Sequence, residues 1–294
     1  MLHAVVEQGS MARAAGALGL TQPAISKAIA EMERLLGVPL LERSPRGVVP
    51  TRYGTALLAR GAAMLDELRQ GIEELRFLAD PTQGQVRIGA TEPMTTMVAG
   101  SLDRLGRRHP RMRFEVEVAP THELLAGLRE RRLDIAVTRM AAADSEPDLR
   151  VEVLFDDPLA VLADRSNPLL RRRRLALRDL LDQPWAIPPP DTFIGNFIAQ
   201  AFRSRGLEPP CAQLFTRSVQ MWIAMIRTGR FLAVGPSAML RFPRQYPALA
   251  ALPVALPETR RPVGLVSLAG RAPTPAAVLV AQDMVRAQRT REGS

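Results

Sequence analysis

Apolar side chains recur at Ile25, Ala28, Ile29, Met32, Leu35 and Leu36 within residues 21–37, TQPAISKAIAEMERLLG, the spacing of one helical face. The ends of the segment agree with that period. Thr21 can accept a first-turn backbone N–H, Pro23 falls where a missing N–H costs little, Gly37 suits a left-handed stop, and Pro39 blocks continuation. The other face opens with Gln22, Ser26 and Lys27, short or flexible hydrogen-bonding groups near the N-terminal end. An isolated amphipathic helix would show the same stripe, so the neighbouring residues decide. Residues 2–8, LHAVVEQ, read as the end of a helix. Gly9-Ser10 marks a turn, and Ser10 can cap a second helix over residues 11–18, whose Ala12, Ala15 and Leu18 form a small apolar side. Gly19 closes that helix and Leu20 leads to Thr21. A short helix, a tight glycine turn and a second amphipathic helix form a helix-turn-helix. Its second helix would present Gln22, Ser26 and Lys27 to base edges in a DNA major groove.

Residues 40–50, LLERSPRGVVP, predict a β-hairpin. Ser44-Pro45-Arg46-Gly47 has turn chemistry, and Leu40-Leu41 and Val48-Val49 flank it. This places Arg43 and Arg46 on or beside a wing that could touch phosphates or a minor groove. Residues 52–79 then read as one long helix. Leu58, Leu65, Ile72 and Ala79 fall seven apart, and Gly61, Leu68 and Leu75 take the intermediate position, a seam of about three heptads. Residues 80–84, DPTQG, break the helix. Beyond them the period alternates between strand and helix. Strands are expected at residues 85–91, 112–119 and 133–138, and helices at 93–108 and from Thr121 to Arg131. Such alternation predicts a parallel sheet covered on both faces. Residues 159–163 begin a crossover to a second lobe, with helices at 193–205 and 219–227 and a strand at 231–234. A strand at 262–269 and a helix at 275–288 return the chain.

Composition changes this picture at few points. The chain has 294 residues, 47% of them hydrophobic, enough for two domains with buried cores. No apolar run reaches the ~20 residues needed to span a bilayer, and the N-terminus has no secretory leader pattern, so a cytoplasmic protein without membrane attachment is expected. The single cysteine, Cys211, excludes an intrachain disulfide and reads as a small, partly buried residue. The net charge of +9 suits a nucleic-acid partner, but its distribution does not locate one. Residues 1–80 hold nine basic and nine acidic side chains, whereas residues 81–294 hold thirty and twenty-one. Of the 39 basic residues, Lys27 is the only lysine. The Arg171–Arg174 run reads as a solvated face.

The ordered run SMARAAGALGLTQPAISKAIAEMERLLGVPLLERSPRGVVPTRYG resembles the winged helix-turn-helix of the LysR-type transcriptional regulators, over about the first 55 residues. The resemblance implies that Thr21, Gln22, Pro23, Ser26 and Lys27 meet bases and nearby phosphates. It places Ser10, Met11 and Arg13 near the DNA backbone and Arg43 on the wing. It also implies dimerisation through Leu58, Leu65, Leu68, Ile72 and Leu75, as a homodimer or homotetramer on double-stranded promoter DNA, with RNA polymerase a further partner. The later alternation resembles the two-lobed, periplasmic-binding-protein-like effector domain of that family. The expected fold is therefore an α+β winged helix-turn-helix at 1–56, a linker and dimerisation helix with hinge at 57–83, and an α/β effector domain at 84–294. Lobe I would span about 84–160 and 264–294, and lobe II about 161–263.

In open α/β sheets ligands bind beyond the carboxyl ends of strands, where helix N-termini favour anions. Thr91, Thr95, Thr96, Thr121 and Thr138 lie at such positions, with Phe193, Val219 and Gln220 as candidates across the cleft. An anionic metabolite or a sugar is the expected effector. Glu92 at the same mouth would repel an anion unless it is paired, and Arg139 reads as solvated rather than as a ligand clamp. An enzyme is the rival class. His3, His109 and His122 form no catalytic constellation with a nucleophile, and neither a phosphate-binding glycine loop nor a metal-ligand cluster appears, so no catalytic residue, metal or cofactor is expected. An architectural DNA binder would leave more than 200 residues of α/β pattern unexplained.

Overall fold

The computed structural model describes residues 1–44, 47–141 and 146–292. The chain divides into two compact units, Met1–Leu75 and Arg76–Ser294. In the first, helices α1 (Leu2–Gln8), α2 (Met11–Leu18) and α3 (Gln22–Leu36) precede strands β1 (Leu41–Ser44) and β2 (Gly47–Pro50) and the long helix α4 (Arg52–Ala79), whose last turn belongs to the second unit. Gly9, Gly19 and Gly37 end the first three helices in the left-handed conformation that glycine adopts without cost. Leu2, Val5, Ala14, Ala15, Ile25, Ile29 and Leu40 form the core, with Met32 and Leu58 packed at its edge. The expected stripe on α3 is therefore too long. Leu35 is 70% and Leu36 50% exposed, because the small core ends at Met32 and the last turn runs past it.

The second unit is built on a six-stranded sheet. Its elements are β3 (Gln83–Ala90), α5 (Thr95–Arg108), β4 (Arg111–Val118), α6 (Thr121–Arg129), β5 (Ile135–Arg139), β6 (Leu149–Asp164), β7 (Ala186–Ile187), α7 (Phe193–Arg203), β8 (Leu214–Phe215), α8 (Val219–Ile226), β9 (Ala233–Pro236), β10 (Leu249–Leu268) and α9 (Pro275–Glu292). The strand order is β4-β3-β5-β10-β6-β9. The parallel arrangement expected from the alternation holds for β3 with β4 and β5. It fails beyond β5, where β10, β6 and β9 are all antiparallel to their neighbours.

Strands β6 and β10 are far longer than the segments legible at 159–163 and 262–269. They serve both lobes, contributing Leu154, Phe155, Val263 and Leu265 to one core and Leu159, Val161, Leu252, Val254 and Leu256 to another. Pro158, Pro253 and Pro257 fall where the β6–β10 register shifts, the place a strand tolerates proline. Helices α5 and α9 cover one face of lobe I and α6 the other, while α7 and α8 flank lobe II. Ser101 and Arg104 of α5 donate to Asp283 of α9 at 2.7 Å each. Burial raises the Asp283 carboxyl, but these hydrogen bonds and the Arg104 and Arg108 charges outweigh it and hold the group below its ordinary value. Cys211 is exposed rather than partly buried, because Ala212 and Leu214 take the inward positions of its extended segment. Arg171–Arg174 are exposed as expected.

Arg139 is buried, not solvated. It lies at the end of β5, beside the point where β6 and β10 pass between the lobes. Its guanidinium donates to the Asp157 carboxylate (2.7 Å) and to the carbonyls of Asp157 (2.7 Å) and Thr259 (3.2 Å). Asp157 also accepts from Ser237 Oγ at 2.6 Å and Ala238 N at 2.9 Å, and Thr259 Oγ1 accepts from Leu159 N at 2.9 Å. Burial lowers the Arg139 pKa and Asp157 opposes that shift, so the guanidinium stays charged and paired. Removing one partner of such a pair strands a buried charge. Asp157→Ala is expected to cost roughly 3–5 kcal/mol of unfolding free energy in denaturant titration, and Ser237→Ala about 1 kcal/mol. A loss below about 1 kcal/mol for Asp157→Ala would remove this pair from its place at the crossing.

Candidate functional site

The candidate DNA-reading face starts at two capped turns. Ser10 Oγ accepts from Arg13 N at 3.5 Å, and Thr21 Oγ1 accepts from Ala24 N at 3.4 Å. Both caps are as the residues predicted. Thr21, Gln22, Pro23, Ser26 and Lys27 are all exposed at the start of α3, as is Arg13 on α2, with Ser10 and Met11 half-buried beside it. Ile25 and Ile29 fasten the opposite face into the core, which fixes the rotation of α3 and so decides which residues point outward. Arg43 lies on β1, paired in register with Val48, and Arg46 lies outside the described residues.

Sequence reasoning missed the groups that hold the wing. Glu33 Oε1 accepts from Leu40 N at 2.7 Å and Leu41 N at 3.2 Å, tying α3 to the strand that follows. The signal was present: Glu33 continues the four-residue series of Ile25 and Ile29. The Gly9 carbonyl accepts from Val48 N at 3.0 Å, joining β2 to the turn before α2. A side chain at Gly47 would collide with that same carbonyl, and Gly47 has φ 110°, a conformation that disfavours L side chains.

The candidate effector residues of lobe I come together where β3, β4 and β5 end. Thr91 N donates to Val137 O at 3.2 Å and Ala119 N to Ala90 O at 3.2 Å, so the three strand ends are adjacent. Thr121 begins α6 without capping it. Its hydroxyl instead pairs with that of Thr138 at 2.7 Å, and Thr138 is fully buried. Thr95 Oγ1 donates to the Glu92 carbonyl at 2.7 Å. Across the cleft, Ser218 Oγ caps α8 through Met221 N at 3.3 Å, Gln220 is exposed, and Phe193 at the start of α7 is exposed and packs edge-on to Phe197. Two contacts bridge the lobes here, neither of which was foreseen. Glu92 Oε2 accepts from Val219 N at 3.2 Å, and the Thr96 and Tyr246 hydroxyls lie 3.4 Å apart.

An exposed capped helix in a helix-turn-helix, followed in the chain by a two-lobed α/β unit, is the arrangement of a transcriptional regulator. The comparisons agree. Residues 1–55 match the bacterial regulatory helix-turn-helix protein, lysR family, and residues 79–288 match the LysR substrate binding domain. The HTH-type transcriptional regulator GbpR of Rhizobium radiobacter is 31% identical over 230 residues, covering 77% of this chain and 76% of its own length. The SDS degradation transcriptional activation protein of Pseudomonas sp. is 30% identical over 285 residues, covering 93% and 90%. A full-length OxyR variant from Pseudomonas aeruginosa has a similar fold, with a TM-score of 0.68 at 22% identity over 97% of this chain and 92% of that one. The chain belongs to the LysR family of transcriptional regulators. It is a DNA-binding regulator with an effector-binding domain, and the family is not one of enzymes.

The wing geometry makes a direct prediction. Gly47→Ala is expected to destabilise the protein by about 1–3 kcal/mol in thermal or denaturant unfolding, through the disfavoured φ and the collision with Gly9. Gly16→Ala, mid-helix in open space, is the contrasting control and should gain about 0.5–1 kcal/mol.

Proposed function

We propose that this chain acts as a dimer or tetramer on a partly palindromic promoter site, with residues 1–56 reading DNA, 57–83 pairing protomers and 84–294 binding an effector. The observation that carries the DNA-reading assignment is the exposure of Gln22, Ser26 and Lys27 on one side of a helix whose other side is buried. Gln22 is the base reader and Lys27 a base or phosphate contact, while Ser10, Met11, Arg13, Arg43 and Arg46 position the domain on the backbone. The effector is an anionic metabolite or a sugar bound between the lobes, against Thr91, Thr95, Thr96 and Thr121 on one side and Phe193, Val219 and Gln220 on the other. Thr138, fully buried, acts through Thr121. Effector binding shifts the arrangement of protomers, and with it DNA bending and contact with RNA polymerase.

Binding of the full chain to promoter fragments, followed by fluorescence anisotropy against bulk competitor DNA, tests this reading. Gln22→Ala should lower discrimination between fragments. Lys27→Ala should cost about 1–3 kcal/mol on the preferred fragment if Lys27 touches a base, and an equal loss on every sequence would move it to a phosphate. If no fragment competes with bulk DNA at any salt concentration, the reading is wrong.

Pairing of protomers is supported by the row of exposed apolar side chains on α4. Leu65, Leu68, Ile72 and Leu75 are all exposed, Leu68 by 63%, whereas Leu58 packs at the edge of the winged-helix core. A row of that kind on one helix face suits a coiled-coil partner. Leu68→Glu should shift the protein towards monomer in sedimentation velocity and remove the dependence of its thermal unfolding on protein concentration. An unaltered oligomer would place the interface elsewhere.

A further inference from the structure

The effector cleft contains its own carboxylate. Glu92 lies two residues beyond β3, in the turn before α5, and its Oε2 accepts from Val219 N in the first turn of α8 across the cleft. Met221 N of the same turn is taken by Ser218 Oγ. The backbone donors that a helix N-terminus offers to an anion are thus partly used by the protein itself, and a negative charge already sits there. The cation that ends β5 does not offset it. Arg139, at the end of β5, directs its guanidinium to Asp157 and to two backbone carbonyls. Two pairs of neutral hydroxyls also stand here, Thr121 with Thr138 and Thr96 close to Tyr246, and Arg217, two residues before Val219, is paired with Asp191 at 2.9 Å.

Resting on the effector reading above, we propose that Glu92 is the residue that sets effector class in this cleft, rejecting carboxylates and admitting a neutral ligand rich in hydroxyl groups. Two effects act in the same direction. An incoming carboxylate meets a like charge at short range in a partly desolvated cleft, where such repulsion is strongest. It must also break the Glu92–Val219 hydrogen bond to reach the helix N-terminus. A neutral polyol suffers neither cost. Its hydroxyls donate to the free lone pairs of the Glu92 carboxylate, a charge-assisted hydrogen bond of the stronger kind, and exchange donors and acceptors with the threonine hydroxyls. A site built to receive donors through an ionised acceptor discriminates sharply against a ligand that brings only acceptors.

The test compares matched neutral and acidic probes on the full-length protein by isothermal titration and thermal shift: D-glucose with D-glucuronate, and D-galactose with D-galacturonate. The expected result is that at least one aldose binds about tenfold or more tighter than its uronate. In Glu92→Gln, which keeps an acceptor for Val219 N but loses the charge, the gap should close to within about threefold through tighter uronate binding. The wild-type comparison stands by itself if the variant does not fold. Equal or tighter binding of a uronate by the wild type, an unchanged gap in the variant, or failure of both aldoses to bind overturns the proposal. Anisotropy on promoter fragments with the same preparations separates the two readings. Retained sequence-specific DNA binding with a preference for uronates overturns only the role of Glu92, whereas absence of specific DNA binding removes the regulator reading itself.

Discussion

A buried charge has to be paired, and in this molecule that requirement falls at the point where the two lobes of the effector domain meet. Arg139 ends β5, and Asp157 and Thr259 lie on the two long strands that run from one lobe to the other. With Ser237 and the Ala238 amide, every polar atom of the Asp157 carboxylate is used. In a low-dielectric crossing such a network allows few alternative arrangements, because each displaced partner leaves an unmet donor or acceptor. It ties the end of β5 in lobe I to the two strands that continue into lobe II. One of the three register shifts between β6 and β10, from Leu256 to Arg261, falls at the same level.

The DNA-reading unit solves a different problem with the same economy. Its first 80 residues carry no net charge, so bulk attraction to phosphate is not its means of choosing a site. Instead two isoleucines fix the rotation of α3, two hydroxyl caps fix where α2 and α3 begin, and Glu33 and Gly9 hold the β-hairpin against them. Gln22, Ser26 and Lys27 are left outward as a consequence of that packing. Specific contacts made by a few placed groups fit a reader of base edges better than a general nucleic-acid binder.

In the effector domain the sequence located the neighbourhood and misread some of its roles. Thr91, Thr95, Thr96 and Thr121 do gather at adjacent strand ends, because strand-helix alternation fixes which ends of parallel strands face the cleft. What each hydroxyl does was not legible. Thr121 binds Thr138 and does not cap its helix, and Thr95 bonds back to the Glu92 carbonyl. Arg139 looked solvated because nothing in its local sequence announces Asp157, eighteen residues away, or Thr259, a hundred and twenty away. Glu92 raised the right question from sequence, whether its charge was paired, but its partner is a backbone amide 127 residues on.

Local periodicity, caps and breakers determined the winged helix-turn-helix, the extent of the long helix and the order of elements in the effector domain. These follow from interactions within a few residues, which a sequence displays directly. The termination of the α3 stripe at Met32, the antiparallel half of the sheet and the continuity of β6 and β10 through their prolines were decided only by tertiary structure. So were the burial of Arg139 and the bridge from Glu92 to α8. Each depends on which distant segment lies alongside. That is set by shared burial of apolar faces and by the pairing of polar groups that burial would otherwise strand, and neither leaves a periodic trace in the chain.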